Sequence, residues 1–528
     1  MLLHGSVYRH SPGSGLRLPY LLLAALLCAL LAAPTALAGD RPLVIGCGAD
    51  RYSKAKHYLS FAKMAPNVWI TEPLVYRGDD YRPRPGLVES WERRGHKYRL
   101  HTRPGVRFHN GAEWNAAALK RALEINAYNR SETLRIKPDS YRIIDQHTLE
   151  LETAHPTVHF AGFLSHPFVA AYAPGTDFIN HPVGTGPFVF EEYKRGRYIK
   201  VRRNDNYWGE KPPNEQVIYR FLPDPQTRLL ALLNGECDII FPVDPQMLAS
   251  LPPGGPYKKV ATPLRSYVVM SVNWHGQAPF DLLQDERLRR AVAYAIDRQV
   301  IADTVYQGLA RPAKSILAPW FWDQGEDFLQ GYDHDPAQAR RLLKQAGWQP
   351  GPDGIRVKDG RRLKLRLVSG FPTGAELKPL PELMQQMLLA VGIEVEVIQT
   401  DDMGMYYGSY MAPGQGDLFL EKSGNTSPTP AWLLYLLYHS DSPWVDSGYK
   451  WVLPGPKFDK AVERAQHSDD PATVRAAIQE AQRVLVDETC AVIPLLFVAN
   501  VYLTRPGVKL DPRPRGGYER FGYARLPR

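Results

Sequence analysis

Apolar and polar positions alternate over short stretches of this chain and then give way to helical spacing, repeatedly. "HTLELET" at 147–153 and "FVFEEYK" at 188–194 alternate, as a strand with one covered face requires. "YIKVRRN" at 198–204, "VIYRFLP" at 217–223, "LKLRLVSG" at 363–370, "IEVEVIQT" at 393–400 and "DLFLEKSG" at 417–424 predict further strands. "PLVIGCG" at 42–48 is a short apolar run and predicts a buried strand. "CDIIF" at 237–241, "YVVMSVNW" at 267–274 and the late apolar region "AVIPLLFVANVYLT" at 491–504 also read as strand. "YRLHTRPGVRFHNG" alternates and ends in Asn110-Gly111, which predicts a hairpin.

Helical spacing appears in "NAAALKRALEIN" at 115–126, with Asn115 as N-cap, and in "PQTRLLALLNGE" at 225–236, ended by Gly235. A long amphipathic helical region covers 285–308 and closes at Gly308. Helices follow at 335–348 behind Asp335, at 381–392 ending at Gly392, and at 471–489. The stretch "SGNTSPTPAWLL" at 423–434 reads as a loop. Strands that alternate with helices predict an α/β fold of mixed sheets with helices on their faces. Two such units, before and after about Tyr267, predict two lobes. No internal repeat is evident.

At 528 residues, 44% hydrophobic and 23% charged, the chain has ordinary globular composition and length for two or three domains. Its first 38 residues read as an export signal. Arg9 and Arg17 precede or open an apolar run, Tyr20 to Ala33. Ala36-Leu37-Ala38 then presents small residues for cleavage before Gly39. The run is shorter than the ~20 residues of a transmembrane helix. Leu27 precedes Cys28 where a lipidation signal needs a small residue. Loss of Arg9 and Arg17 takes the formal charge from +9 to +7, with the basic residues scattered rather than striped, which argues against nucleic-acid binding. The mature cysteines, Cys47, Cys237 and Cys490, form no C-x-x-C pair and leave open either one disulfide or three buried thiols.

The segment "HPVGTGPF" at 181–188 invites a phosphate-binding reading. It lacks the Lys-Ser/Thr of a P-loop and the third glycine of a dinucleotide fingerprint, and Pro187 removes a backbone donor. No G-x-S-x-G elbow and no H-E-x-x-H is present. The sequence therefore predicts no enzyme and no cofactor, and a structural turn at Gly184-Thr185-Gly186.

Several motifs in order carry a resemblance. "ITEPLVY" at 70–76, "RPGVRFHNGAEWNAAALK", "PVGTGPFVFEEYKRG", "VRRNDNYWGEKP", "FLPDPQTRLLALLNGECDI", "RLRRAVAYAIDRQVI", "DPAQARRLLKQAGW" and "VGIEVEV" resemble the bacterial extracellular solute-binding proteins, family 5, over nearly the whole mature chain. The resemblance implies a periplasmic-binding-protein-like fold: two lobes joined by hinge strands, with an extra subdomain on lobe I. The expected division is a signal at 1–38, lobe I at 39–270, lobe II at 271–484 and a return to lobe I at 485–528. It also implies a periplasmic, monomeric protein that engulfs a small solute between its lobes and presents it to an ABC transporter permease.

Peptide binders of that family carry an aspartate in the loop aligned with 423–434, where this chain has no acid. An arginine expected after the strand "LRLVSG" is also missing, and Lys378 is the distant cation there. The loop offers Asn425, Thr426, Ser427 and Thr429 beside Trp432, neutral groups suited to a neutral ligand or to a peptide held by backbone contacts. Trp274, Trp320, Trp322, Tyr406 and Tyr407 fall in candidate lining segments. His57 lies in an early loop where family members line the cleft. His166 lies where nickel-chelate binders place a basic residue. His155 and His159, four apart, are metal-ligand candidates with His166 if their segment is helical, although Pro156 and Pro167 interrupt it. A peptide ligand is the leading expectation, with a metal chelate or a sugar-like solute as alternatives.

Overall fold

The computed structural model describes residues 41–527 apart from 50–67, 79–81, 126–135, 167–168, 178–179, 244, 252, 265, 319–320, 322–324, 371–377, 401, 403, 425–426, 428, 443–444, 446–447 and 513–519. The export signal, Cys28, His57, Trp320, Trp322, Asn425 and Thr426 lie outside the described residues. Leu43–Arg528 form one compact unit.

Two mixed sheets dominate. The first orders its strands Lys258–Ala261, Val501–Thr504, Ile239–Phe241, Leu43–Cys47, Gln216–Phe221, Tyr198–Arg203 and Phe188–Lys194. Leu43–Cys47 lies at its centre, parallel to both neighbours. A central parallel strand is covered on both faces, which is why its sequence is continuously apolar. The second sheet orders Ala310–Pro312, Val492–Val498, Ser266–Val272, Leu418–Gly424, Lys364–Gly370 and Glu394–Thr400. Its last three strands are parallel, and Ser266–Val272 is antiparallel to both of its neighbours. A smaller antiparallel sheet of Val88–Arg94, Lys97–Thr102, Thr148–Glu152 and Arg142–Ile143 has its own core, which includes Trp114, Phe160 and Phe163.

The chain crosses between the two large sheets twice, after Ala261 and after Val498. These points differ from the boundaries at 270/271 and 484/485 read from the sequence. Ser266–Val272 and Val492–Val498 each lie whole in the second sheet, paired with one another. The late apolar region thus supplies one strand to each sheet, a division that continuous hydrophobicity does not mark. The two crossings are tied together: Thr262 N–H donates to the Asn500 carbonyl at 2.9 Å, and Asn500 N–H donates to Thr262 Oγ1 at 2.9 Å.

Local signals explain most helix starts. Asp224 accepts from Thr227 N–H at 2.7 Å ahead of Pro225–Leu233, and Asp335 from Gln338 N–H at 2.8 Å ahead of Pro336–Gln345. Asn115 Oδ1 accepts from Ala118 N–H at 3.1 Å. The helical region 285–308 is two helices, Glu286–Ala295 and Arg298–Thr304, because Asp297 caps the second through Val300 N–H. The Asn110-Gly111 turn closes a short bridge, Arg107 to Glu113, whereas Lys97–Thr102 pairs with Val88–Arg94 and Thr148–Glu152 instead of folding back on 105–108. Half of the segment read as a loop at 423–434 is ordered helix: Pro430–Tyr438 starts behind Thr429, whose Oγ1 accepts from Trp432 N–H at 3.2 Å. Thr-Pro at N-cap and N1 was its signal.

Candidate functional site

The "GTG" segment is a packed turn. A Cβ on Gly184 would stand 2.2 Å from the Ile70 carbonyl oxygen, and one on Gly186 would stand 2.2 Å from that of Trp69. Its backbone donors are occupied: Gly186 N–H by the Ile70 carbonyl at 3.0 Å, and Gly184 N–H by His109 Nδ1 at 3.4 Å. His109 Nε2 in turn donates to the Gly186 carbonyl at 2.9 Å, and burial lowers its pKa to about 4, so the ring is neutral. Both glycine N–H groups are thus spent inside the fold. Beside this turn, the buried Glu72 receives the Tyr207 hydroxyl at 2.9 Å, the Trp208 indole N–H at 2.8 Å and the Tyr76 hydroxyl. Burial raises its pKa, against those hydrogen bonds. "ITEPLVY" and "NYWG" thus meet at one carboxyl group, with "GTG" packed on the backbone just before it.

Strand register places the rim where a ligand can sit. In the second sheet Ser266 pairs with both Gly424 and Val498, so the carboxyl end of Leu418–Gly424 lies where the chain crosses. Gly370 and Thr400 pair with one another at that same end. In the first sheet Ala261 pairs with Val501, and the carboxyl ends of the parallel strands, Cys47, Phe221 and Phe241, lie on that side, with the Phe241 and Tyr502 rings 6.2 Å apart. Both sheets therefore turn the carboxyl ends of their parallel strands toward the crossings, the end at which open α/β sheets bind ligands.

On the second sheet, three residues below this rim, the carboxyl group of Glu421 is enclosed by tyrosines. Its carboxylate accepts from Ser271 Oγ at 3.2 Å. Tyr267, Tyr406, Tyr407, Tyr438 and Tyr449 surround it closely enough that burial first, and the Glu421 charge as well, push their hydroxyl pKa values up. Tyr406 is clamped, its hydroxyl donating to the Leu420 carbonyl at 3.1 Å and its ring lying where a Gly370 side chain would be. Tyr407 meets it edge-on at 4.9 Å and is half-buried. Burial raises the Glu421 pKa to about 7. Neither Glu421 nor Ser271 was singled out in the sequence. Glu421 sits in an alternating strand, where an acid normally reads as solvated surface.

The other predicted site residues separate. Ser427 and Thr429 are buried beside the rim, Thr429 with its hydroxyl spent on the helix cap. Trp432 leaves the rim for the core of the small sheet, edge-on to Phe163 at 6.2 Å and 6.0 Å from the His166 ring. It joins the helix Pro430–Tyr438 to that subdomain. Trp274 follows Val272, at the end of its strand opposite the crossings, where Arg289 stacks on it at 4.8 Å. The register removes it from the site. The three histidines do not converge on a metal. The helix runs only Phe160–Leu164, so His155 lies outside it and the i,i+4 geometry is lost. His155 stacks on His467, and His159 Nε2 donates to the Ala465 carbonyl at 3.1 Å, while burial lowers its pKa to about 4. Among the described residues no group of three or more His, Cys, Asp or Glu is placed to hold a metal ion. Cys47, Cys237 and Cys490 are buried free thiols.

Comparison with known proteins bears on this geometry. A family model described as bacterial extracellular solute-binding proteins, family 5, middle region, matches residues 82–443. The glutathione-binding protein GsiB of Salmonella paratyphi A is 28% identical over 415 residues, which are 75% of this chain and 76% of that one. The di/tripeptide-binding protein 2 of Pseudomonas aeruginosa is 26% identical over 445 residues, 76% and 79% of the two chains. The crystal structure of NikA from Brucella suis in complex with Fe(III)-EDTA superposes with a TM-score of 0.79 at 24% identity, covering 92% of this chain and all of that one. Among the described residues no helix is long and apolar enough to cross a membrane.

Proposed function

The chain belongs to the bacterial extracellular solute-binding proteins, family 5, and from that premise we propose that it captures a short peptide between its two sheets and delivers it to the permease of an ABC importer. The observation that carries this reading is the convergence of both sets of parallel-strand carboxyl ends on the double crossing after Ala261 and after Val498. Two sheet-bearing lobes joined by two short, mutually hydrogen-bonded connections can rotate as bodies and close on a ligand at that rim. Lobe I is the seven-stranded sheet with the four-stranded subdomain, and lobe II is the six-stranded sheet. Export to the periplasm through the signal at 1–38 and a monomeric state complete the proposal. Names of relatives that bind glutathione and di- or tripeptides support the peptide class.

Thermal denaturation in the presence of di- and tripeptides, nickel with histidine, and oligosaccharides tests the class, because a ligand that binds only the folded state raises the midpoint. Short peptides are expected to raise it. A rise with nickel–histidine alone would replace peptide by chelate, and no rise with any of the three refutes capture at this rim. The double substitution Thr426→Ala with Ser427→Ala is expected to weaken the bound peptide while changing stability by less than about 1 kcal/mol; unchanged affinity removes the loop from the site.

A further inference from the structure

We propose that the four-stranded subdomain and the helices Pro430–Tyr438 and Pro456–His467 form a clasp apart from the ligand rim, which holds the lobes closed through protein–protein contacts and parts for solute to enter or leave. The proposal rests on the peptide-capture reading and adds to it residues that govern affinity without touching the solute.

The Trp432 ring enters the core of the small sheet, edge-on to Phe163 at 6.2 Å. His159 Nε2 donates to the Ala465 carbonyl at 3.1 Å. The His155 and His467 rings lie 4.0 Å apart, and Arg93 Nη1 stands 3.3 Å from Asp469 Oδ2. One side of the clasp is therefore Arg93 and the segment 155–163 of the subdomain. The other is a pair of helices that belong with the second sheet, and the residues just after them. None of these residues is one of the strand ends that form the rim.

The subdomain is attached to its two neighbours in different ways. Toward lobe I the attachment is backbone. Val88 N–H, in the small sheet, donates to the Leu74 carbonyl at 2.8 Å, and Phe188 N–H, at the start of a strand of the seven-stranded sheet, donates to the Trp69 carbonyl at 3.2 Å. The segment 69–74 thus bonds to both, and the two move as one body. Each contact with the second lobe named above instead uses a side chain on at least one partner. An interface of that kind parts without breaking a backbone ladder, as interfaces between mobile domains do. Rotation about the crossings at Thr262 and Asn500 carries residues 430–469 away from Arg93 and 155–163. Contacts made only in the closed arrangement raise its population, and apparent affinity scales with that population.

The test bridges the clasp covalently. Mature protein carrying His155→Cys and His467→Cys is joined by a short bismaleimide, and the same variant blocked with N-ethylmaleimide is the control. Cys47, Cys237 and Cys490 are buried and spared by both reagents. His155 is exposed and His467 half-buried, so neither substitution empties a core. Two rates are measured: release of tritiated Ala-Ala-Ala loaded before bridging, and its uptake by protein bridged before loading. The bridge is expected to slow both by about a hundredfold or more, while the blocked control releases at least as fast as the unsubstituted protein. Equal rates in bridged and blocked protein overturn the clasp and leave peptide capture standing. Arg93→Cys with Asp469→Cys, joined by a longer bismaleimide, repeats the comparison if the first pair does not fold, and equal rates there overturn the clasp as well. Failure of the unsubstituted protein to bind Ala-Ala-Ala refutes peptide capture itself, and the clasp with it.

Discussion

Glu72→Leu isolates the contribution of the carboxyl group on which two sequence motifs converge. The wild-type side chain accepts the Tyr76 and Tyr207 hydroxyls on Oε2 and the Trp208 indole N–H on Oε1. Leucine removes both acceptors. The two hydroxyls lie 3.0 Å apart, so one satisfies the other, leaving one hydroxyl proton and the Trp208 N–H without an acceptor. At about 1–3 kcal/mol for each stranded buried donor, the loss is about 2–6 kcal/mol. A part is returned because an acid that burial disfavours is no longer enclosed. Glu72→Gln keeps one carbonyl acceptor but turns an amide NH2 group toward the third donor, a loss of about 1–3 kcal/mol. Stability should therefore fall in the order wild type, Gln, Leu. Urea unfolding followed by circular dichroism and by tryptophan fluorescence measures it, with an unchanged denaturant slope as the sign that only stability moved. A Leu variant within about 1 kcal/mol of wild type, or a Gln variant less stable than the Leu variant, would refute the view of Glu72 as a hub of buried hydrogen bonds.

Further outcomes follow from the same coordinates. The Glu421 carboxyl is held near pKa 7 against its ordinary 4.5, so between those values the folded protein keeps a proton that the unfolded chain has released. This contribution to stability is present in full below about pH 4.5 and lost as pH rises through 7. Glu421→Gln should flatten that slope in unfolding midpoints measured from pH 4.5 to 8, and an unaltered slope contradicts it. Trp432→Ala should cost about 3–5 kcal/mol, the usual loss for a buried aromatic, since Trp432 joins the helix Pro430–Tyr438 to the core of the small sheet; a urea-derived loss under about 1 kcal/mol would show that this contact does not couple them. Gly186→Ala, which sets a Cβ 2.2 Å from the Trp69 carbonyl oxygen, should lower the melting temperature sharply, while Gly408→Ala, with open space around it, should leave it nearly unchanged. Ellman's reagent should leave Cys47, Cys237 and Cys490 untouched in the native protein and titrate all three in denaturant, because each is buried and burial raises the Cys237 and Cys490 thiols to about 11.

The sequence by itself determined the α/β class, most strands of the two large sheets, the helices with clear caps, and the membership that follows from ordered motifs. Those features depend on local periods and caps: the alternation in 394–400, the unbroken apolar run at 43–47, and Asp224 and Asp335 before their helices. Each is set by neighbours a few positions away, so one-dimensional spacing suffices to read it. Only the tertiary structure decided which apolar strand joins which sheet, as at 491–504, where one continuous run serves both. It also decided which side chains share the rim. Trp274 was a lining candidate by composition, and register sent it to the far end of its strand. Trp432 was assigned to the ligand loop, and its helix carried it into another subdomain's core. Glu421, in contrast, looked like one more acid on an alternating strand and stands among five tyrosines from four other segments of the chain. Burial of a charge depends on what long-range pairing brings beside it. Local pattern carries no record of that pairing.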